Sequence, residues 1–182
     1  MIFNDRVIIL KDGKRCILRS PKIEDASEML EYLKICAGET NFILRYPEEC
    51  TETVEQEAKY LQNINNSEFD LMIVAIVDDE IAGNCQLNIK KRMKINHRGS
   101  VAIALKEKFW NKGIGTAMFN EMINYAKNRG CIQLELEFIE GNDRARALYE
   151  KIGFSIYAER KRAIKLKNSQ FLSEFLMIKY LE

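Results

Sequence analysis

Residues 110 to 116 read Trp-Asn-Lys-Gly-Ile-Gly-Thr, with two glycines one residue apart at the head of a helical pattern. Glycine lets a backbone approach a bulky group closely, and the first N–H groups of a helix have no partner within it. A loop of this kind can therefore turn several backbone donors toward an anion such as a phosphate. Lys112 adds a positive charge, as a compact ammonium rather than a planar fork. The same residues also suit a plain strand-to-helix turn that needs flexible positions. A dinucleotide site would need G-x-G-x-x-G directly behind a strand, whereas Met118 stands at the third glycine position and seven residues separate Leu105 from Gly113. A nucleotide-triphosphate loop would need Gly-Lys-Ser or Gly-Lys-Thr, and neither occurs. What remains is a pyrophosphate cradle with no magnesium-binding hydroxyl in its motif.

The other side chains with chemistry are a phenol, a set of carboxylates and one histidine. Tyr149 is a weak acid that stays protonated at neutral pH, which suits a proton donor as well as a packed helix aromatic. Glu135 and Glu137 alternate with Leu134 and Leu136, so they occupy the polar face of a strand, where they either meet solvent or act as bases through water. Glu39, Glu48, Glu49, Glu52, Glu55 and Glu57 make one region acidic, as a charged helix face or as an attraction for a cation. His97, the only histidine, precedes a strand in a loop. The five cysteines are scattered, odd in number and free of any C-x-x-C pair, so they read as reduced thiols and no metal site is expected.

These groups need a scaffold. Val101 to Leu105 forms a short strand ahead of the glycine loop, and Ile114, Ala117, Met118, Met122, Tyr125 and Ala126 recur at helical spacing behind it, up to Gly130. Cys131 to Phe138 is the next strand, so strand, helix and strand form a right-handed crossover and the two strands lie parallel. Hairpins surround this unit. Val7–Leu10 and Cys16–Arg19 flank an Asp-Gly turn, Phe69–Val77 and Ile81–Lys90 flank Asp78-Asp79-Glu80, and Phe154–Leu166 and Phe171–Tyr180 flank Lys167-Asn168-Ser169. Two helices stand between the first and second hairpins: one carries Ile23, Ala26, Met29, Leu30 and Leu33 and ends near Gly38, and the other is capped by Thr53 with Gln56. Asn142 or Asp143 opens a short helix, Arg144 to Ile152, stopped by Gly153.

The 182 residues suit one domain spanning 1–182, with a substantial core. Twenty-eight basic against 27 acidic residues leave a net charge of +1, which gives no drive toward nucleic acid. The longest apolar run, Leu71 to Val77, is too short to span a bilayer, and no signal-peptide core appears at the N-terminus, so a cytoplasmic protein is expected. The last hairpin could supply an edge for a homodimer.

With these pieces in place, the sequence resembles the GNAT superfamily of N-acetyltransferases, which use acetyl-coenzyme A. Its signature of Arg or Gln, two residues, Gly, one residue, Gly or Ala falls on Trp110 through Gly115, with Trp110 in place of the Arg or Gln. A second block, Asn142-Asp143-Arg144-Ala145-Arg146-Ala147-Leu148-Tyr149-Glu150-Lys151-Ile152-Gly153-Phe154, lies at the matching separation. The resemblance implies a single-domain α/β fold: a mixed, mostly antiparallel sheet of about seven strands flanked by helices, its parallel strands four and five splayed to admit the coenzyme. It implies that Ala104, Leu105, Trp110, Asn111, Lys112, Gly113, Ile114, Gly115, Thr116, Asn142 and Tyr149 bind the coenzyme. Leu105 N–H would polarise the acetyl carbonyl, and Tyr149 would protonate the leaving thiolate. Glu135 and Glu137 are the candidate bases, since Ser100 stands where relatives often carry glutamate. Glu39, Glu48 and Glu49 would draw in an amine acceptor belonging to a small molecule or a protein. A different acyl group, or a coenzyme-binding regulatory module without catalysis, are the alternatives.

Overall fold

The computed structural model describes residues 1–181. The first hairpin pairs β1 (Arg6–Ile9) with β2 (Arg15–Arg19). Helices α1 (Ala26–Glu39) and α2 (Val54–Asn66) follow; α1 runs one residue past Gly38, and α2 is opened by the reciprocal Thr53–Gln56 capping box. The second hairpin joins β3 (Asp70–Val77) to β4 (Glu80–Ile89) through Asp78 and Asp79, both at positive φ, the two-residue turn whose twist matches that of its strands. The crossover is β5 (Arg98–Leu105), α3 (Ile114–Asn128) and β6 (Gln133–Ile139). Helix α4 (Asp143–Ile152) and the hairpin of β7 (Ser155–Lys165) with β8 (Phe171–Tyr180) complete the chain.

All eight β-rich runs join one sheet in the order β1-β2-β3-β4-β5-β6-β8-β7. That is one strand more than the expected seven, with β1 at the edge, and the expected strands four and five are β5 and β6. This pair alone is parallel. Alternation sends Leu87, Leu134 and Leu136 to one face, where they pack with Met118, Phe119 and Met122 of α3. Met72, Val74 and Ile81 go to the other face, under Tyr32 of α1 and Leu61 of α2. Ile132, just ahead of β6, is exposed.

The parallel pairing is short. Arg98, Gly99 and Ser100 match Gln133, Leu134 and Glu135, and there it ends. Beyond Ser100, β5 stays with β4 as far as Leu105, while β6 stays with β8 as far as Ile139. The sheet therefore opens between β5 and β6, with α3 and α4 on one side of the gap and the loop after α1 on the other.

Candidate active site

A cleft of about 1140 Å³ occupies this opening. Its apolar walls and few polar groups suit a long ligand that is part hydrocarbon and part anion.

The end of β5 presents a free backbone donor. Lys106 N–H donates to Ala82 O at 3.0 Å, which makes Lys106 and Ala82 a hydrogen-bonded pair of the antiparallel ladder. Leu105, opposite Gly83, is then a non-bonded pair, and its N–H and C=O point away from β4 toward the gap. The carbonyl is taken, because Trp110 Nε1–H donates to it at 2.7 Å. The N–H is left facing the cleft. Gly83 makes this geometry possible, since a Cβ there would lie 2.2 Å from Leu105 Cδ2 and 2.5 Å from Ala104 O.

Trp110 thus does two things at the first position of the glycine motif. Its indole N–H pins the strand end to the loop, and its ring carries the Arg144 guanidinium, whose carbon lies 2.9 Å from the ring centroid. Arg144 is at the second position of α4, where the helix dipole disfavours a cation, and no carboxylate pairs with it among the described residues. A cation so placed fits an anionic ligand crossing the mouth of the cleft.

The loop delivers the cradle. Asn111 (φ 62°) and Gly113 (φ 98°) both adopt the left-handed conformation, and Gly113 caps α3, so the first N–H groups of α3 at Ile114, Gly115 and Thr116 lie at the cleft wall. A Cβ on Gly113 would meet nothing within 4 Å, so its backbone angle, not crowding, favours glycine. Gly115 differs: a Cβ there would lie 2.9 Å from Leu148 Cδ2, so this glycine serves the close packing of α3 on α4. The Lys112 side chain is turned toward the first hairpin rather than the cleft. Its ammonium pairs with Asp12 at 2.7 Å, in the first hairpin, while neighbouring Lys11 lines the cleft instead.

Asn142 and Tyr149 both line the cleft. Asn142 spends its Oδ1 on the N-cap of α4, accepting from Ala145 N–H at 3.3 Å, which leaves its amide N–H groups as donors. The Tyr149 ring is buried edge-on against Phe119 at 5.5 Å, with Phe138 and Phe154 behind it. Burial pushes its pKa up to about 12, so the phenol is protonated throughout the working range.

On the far side of the gap, Asn84, Gln86, Ser100 and three glutamates line the cleft. Ser100 Oγ accepts from Lys90 Nζ at 3.1 Å. Glu135 is held by the Arg98 fork, with Nε and Nη2 each donating at 2.8 Å, and by Gln133. Burial alone would raise its pKa, but these bonds outweigh burial and hold it below the usual carboxylate range. Glu137 is freer, half-exposed and 4.0 Å from Arg160. Glu174, on β8, is the most buried of the three.

The acidic region identified in the sequence lies elsewhere. Glu39 accepts from Glu107 N–H at 2.7 Å, Glu48 pairs with Lys167, and Glu49 accepts from Tyr46 N–H at 2.7 Å. None of the three lines the cleft. Their carboxylates are used to tie down the loops around it.

A mixed sheet opened beside a glycine-headed helix, with a backbone donor and a phenol on the opening, is the acyl-transfer scaffold that the two motifs imply. The chain belongs to the acetyltransferase (GNAT) family, whose model matches residues 39–154. It is 26% identical over 106 residues to the L-amino acid N-acetyltransferase AaaT of Escherichia coli (strain K12), covering 58% of this chain and 65% of that protein. The chain thus spans a little under two thirds of the length of that curated relative. Its fold matches an acetyltransferase of the GNAT family from Streptococcus pneumoniae with a TM-score of 0.85 at 26% identity, over 91% of this chain and 99% of the other. It also matches a phosphinothricin acetyltransferase from Sinorhizobium meliloti in complex with acetyl-coenzyme A, with a TM-score of 0.78 at 16% identity, over 96% and 89% of the two chains.

Proposed function

We propose that the protein transfers an acetyl group from acetyl-coenzyme A to a primary amine of a small molecule or protein, by direct attack in a ternary complex. The observation that carries this reading is the unpaired Leu105 N–H on the wall of a cleft that also holds the α3 N-terminus and Tyr149. Acetyl-coenzyme A, when bound, supplies an activated thioester. The N–H groups of residues 114–116 hold phosphate oxygens, with Arg144 as the nearby cation and Asn142 as a further donor. Leu105 N–H stabilises negative charge on the acetyl oxygen, a donor already oriented before reaction begins. Tyr149 supplies the proton for the departing thiolate.

The location follows from the same reading: the chain acts in the cytoplasm, and no helix among the described residues is long and apolar enough to cross a membrane. A panel of L-amino acids, alkylamines and peptides with free N-termini, assayed for release of free thiol from acetyl-coenzyme A, tests the function. Amine-dependent thiol release is the expected result. Saturable coenzyme binding with no release for any amine would favour the regulatory module over the enzyme.

A further inference from the structure

The cleft carries three carboxylates on its acceptor side, and they are not equivalent. Register puts Glu135 opposite Ile178, Glu137 opposite Leu176 and Ile139 opposite Glu174, so Glu135, Glu137 and Glu174 share one face of the sheet. Arg160, opposite Glu174 on β7, lies on that face too. Glu135 is neutralised by its own arginine. That leaves Glu137 and Glu174 with one guanidinium between them: Arg160 pairs with Glu174 and stands 4.0 Å from Glu137. Two carboxylates against one cation leave one negative charge uncompensated at the cleft wall.

We propose that Glu174, with Glu137 beside it, receives the acceptor as an ammonium and is the base that takes its proton. This rests on the acetyl-transfer reading above and names the base that reading lacks. Glu174 is only 5% exposed yet lines the cleft, whereas its partner Arg160 keeps 57% of its side chain in water. The arginine charge is therefore screened by solvent more strongly than the buried carboxylate is. Burial, and then Glu137, raise the Glu174 pKa, and Arg160 only partly offsets them. The charged and titratable groups around the pair are Glu137 on β6 and Arg160 on β7, with Tyr157 of β7 also lining the cleft, while Glu159, opposite Phe175, lies on the other face.

The step balances. Glu174 takes one proton from R–NH3⁺, and the amine lone pair forms the C–N bond as the C–S bond breaks. The nitrogen loses its second proton to water, the thiolate gains one from Tyr149, which is reprotonated by solvent, and protonated Glu174 releases its proton to solvent to restore the carboxylate. The sum is amide, free thiol and one proton.

Glu174→Gln keeps the shape and removes the basic oxygen. For an alkylamine from the panel, kcat/KM at neutral pH is expected to fall about 10²–10³-fold, within the range for a lost general base. Coenzyme affinity, measured by calorimetry, should be unchanged. Methoxyamine, which is neutral at that pH, has one proton fewer to lose and should suffer a smaller fall. Glu174→Asp should recover part of the rate. Independently of turnover, carboxyl NMR of protein carrying ¹³C-labelled glutamate should show a group titrating above the ordinary carboxylate range that vanishes in Glu174→Gln. A folded Glu174→Gln protein with wild-type kcat/KM for the alkylamine overturns the proposal, as does an equal loss for methoxyamine, which would mark a structural role. A wild-type protein that acetylates no amine overturns the transfer reading itself, and with it this assignment.

Discussion

Tyr149→Phe isolates a single proton. The ring is held by Phe119, Phe138 and Phe154, with centroids at 5.5, 6.2 and 6.4 Å, and phenylalanine keeps all three contacts. No protein group among the described residues pairs with the hydroxyl, so its removal orphans nothing. The stability change should stay below about 1 kcal/mol, the net worth of one hydrogen bond. For a chain of this length that is a shift in Tm of less than about 4 °C. Catalysis should respond very differently. General acid catalysis is worth about 10²–10⁴-fold, or roughly 3–5 kcal/mol of barrier, so single-turnover acetyl transfer should slow by that factor while coenzyme affinity is retained. Because burial pushes the phenol up to about 12, wild-type enzyme should show no loss of rate from Tyr149 ionisation through neutral and mildly alkaline pH. Thioesters of more acidic thiols should be less affected, since their thiolates leave without a proton. Full single-turnover activity in Tyr149→Phe would refute the assignment and leave water as the proton source.

Three further outcomes are expected. Trp110→Phe removes the 2.7 Å bond to Leu105 O and leaves that carbonyl unpaired, so it should cost about 1–3 kcal/mol in denaturant unfolding and weaken coenzyme binding; Trp110→Phe with unchanged stability and affinity would remove the pin from the account. Gly113→Asp forces a side chain onto φ 98° and sets a negative charge beside the cradle, so the saturable change in Trp110 fluorescence on adding coenzyme A should disappear from a protein that still folds. Arg19 and Asp25 form a mostly buried pair; burial alone would raise the Asp25 pKa, but the hydrogen bonds from Arg19 and from Lys22 N–H outweigh it, so the carboxyl sits below its ordinary value of 3.8. Its contribution is therefore present above that value and lost as pH falls through the lower folded pKa, and Asp25→Asn should flatten the acid limb of a stability–pH curve.

Much of the scaffold was legible because its signals are local. The Thr53–Gln56 box, the Asp78-Asp79 turn and the alternation of Leu134, Leu136 and Phe138 each depend on neighbours within a few residues, and each appears as read. The site was less legible because its parts come from distant segments. Lys112 reads as a phosphate ligand from its place in the motif, yet Asp12, a hundred residues earlier, takes its charge. Gly115 reads as room for a ligand and turns out to make room for Leu148. Glu39 and Glu48 read as an acidic surface, and the partners that occupy them, Glu107 N–H and Lys167, lie on distant segments, whereas Glu49 is taken by Tyr46 N–H three residues before it. The roles of Arg144 and Glu174 depend on stacking and register between α4 and the glycine loop and between β6, β7 and β8. One clue was available: an arginine at the head of a helix is out of place unless an anion comes to meet it.

Residue-resolved amide hydrogen exchange with and without acetyl-coenzyme A addresses the central claim most directly. The Leu105 N–H has no partner in the sheet and faces the cleft, and the amides of residues 114–116 open α3 on the same wall. Added acetyl-coenzyme A should slow exchange at Leu105 and at residues 114–116 together, while Lys106, already bonded to Ala82, changes little. Saturable binding that leaves the Leu105 amide exchanging at its free rate would contradict the account, because the acetyl group would then lie somewhere other than the opening between β5 and β6.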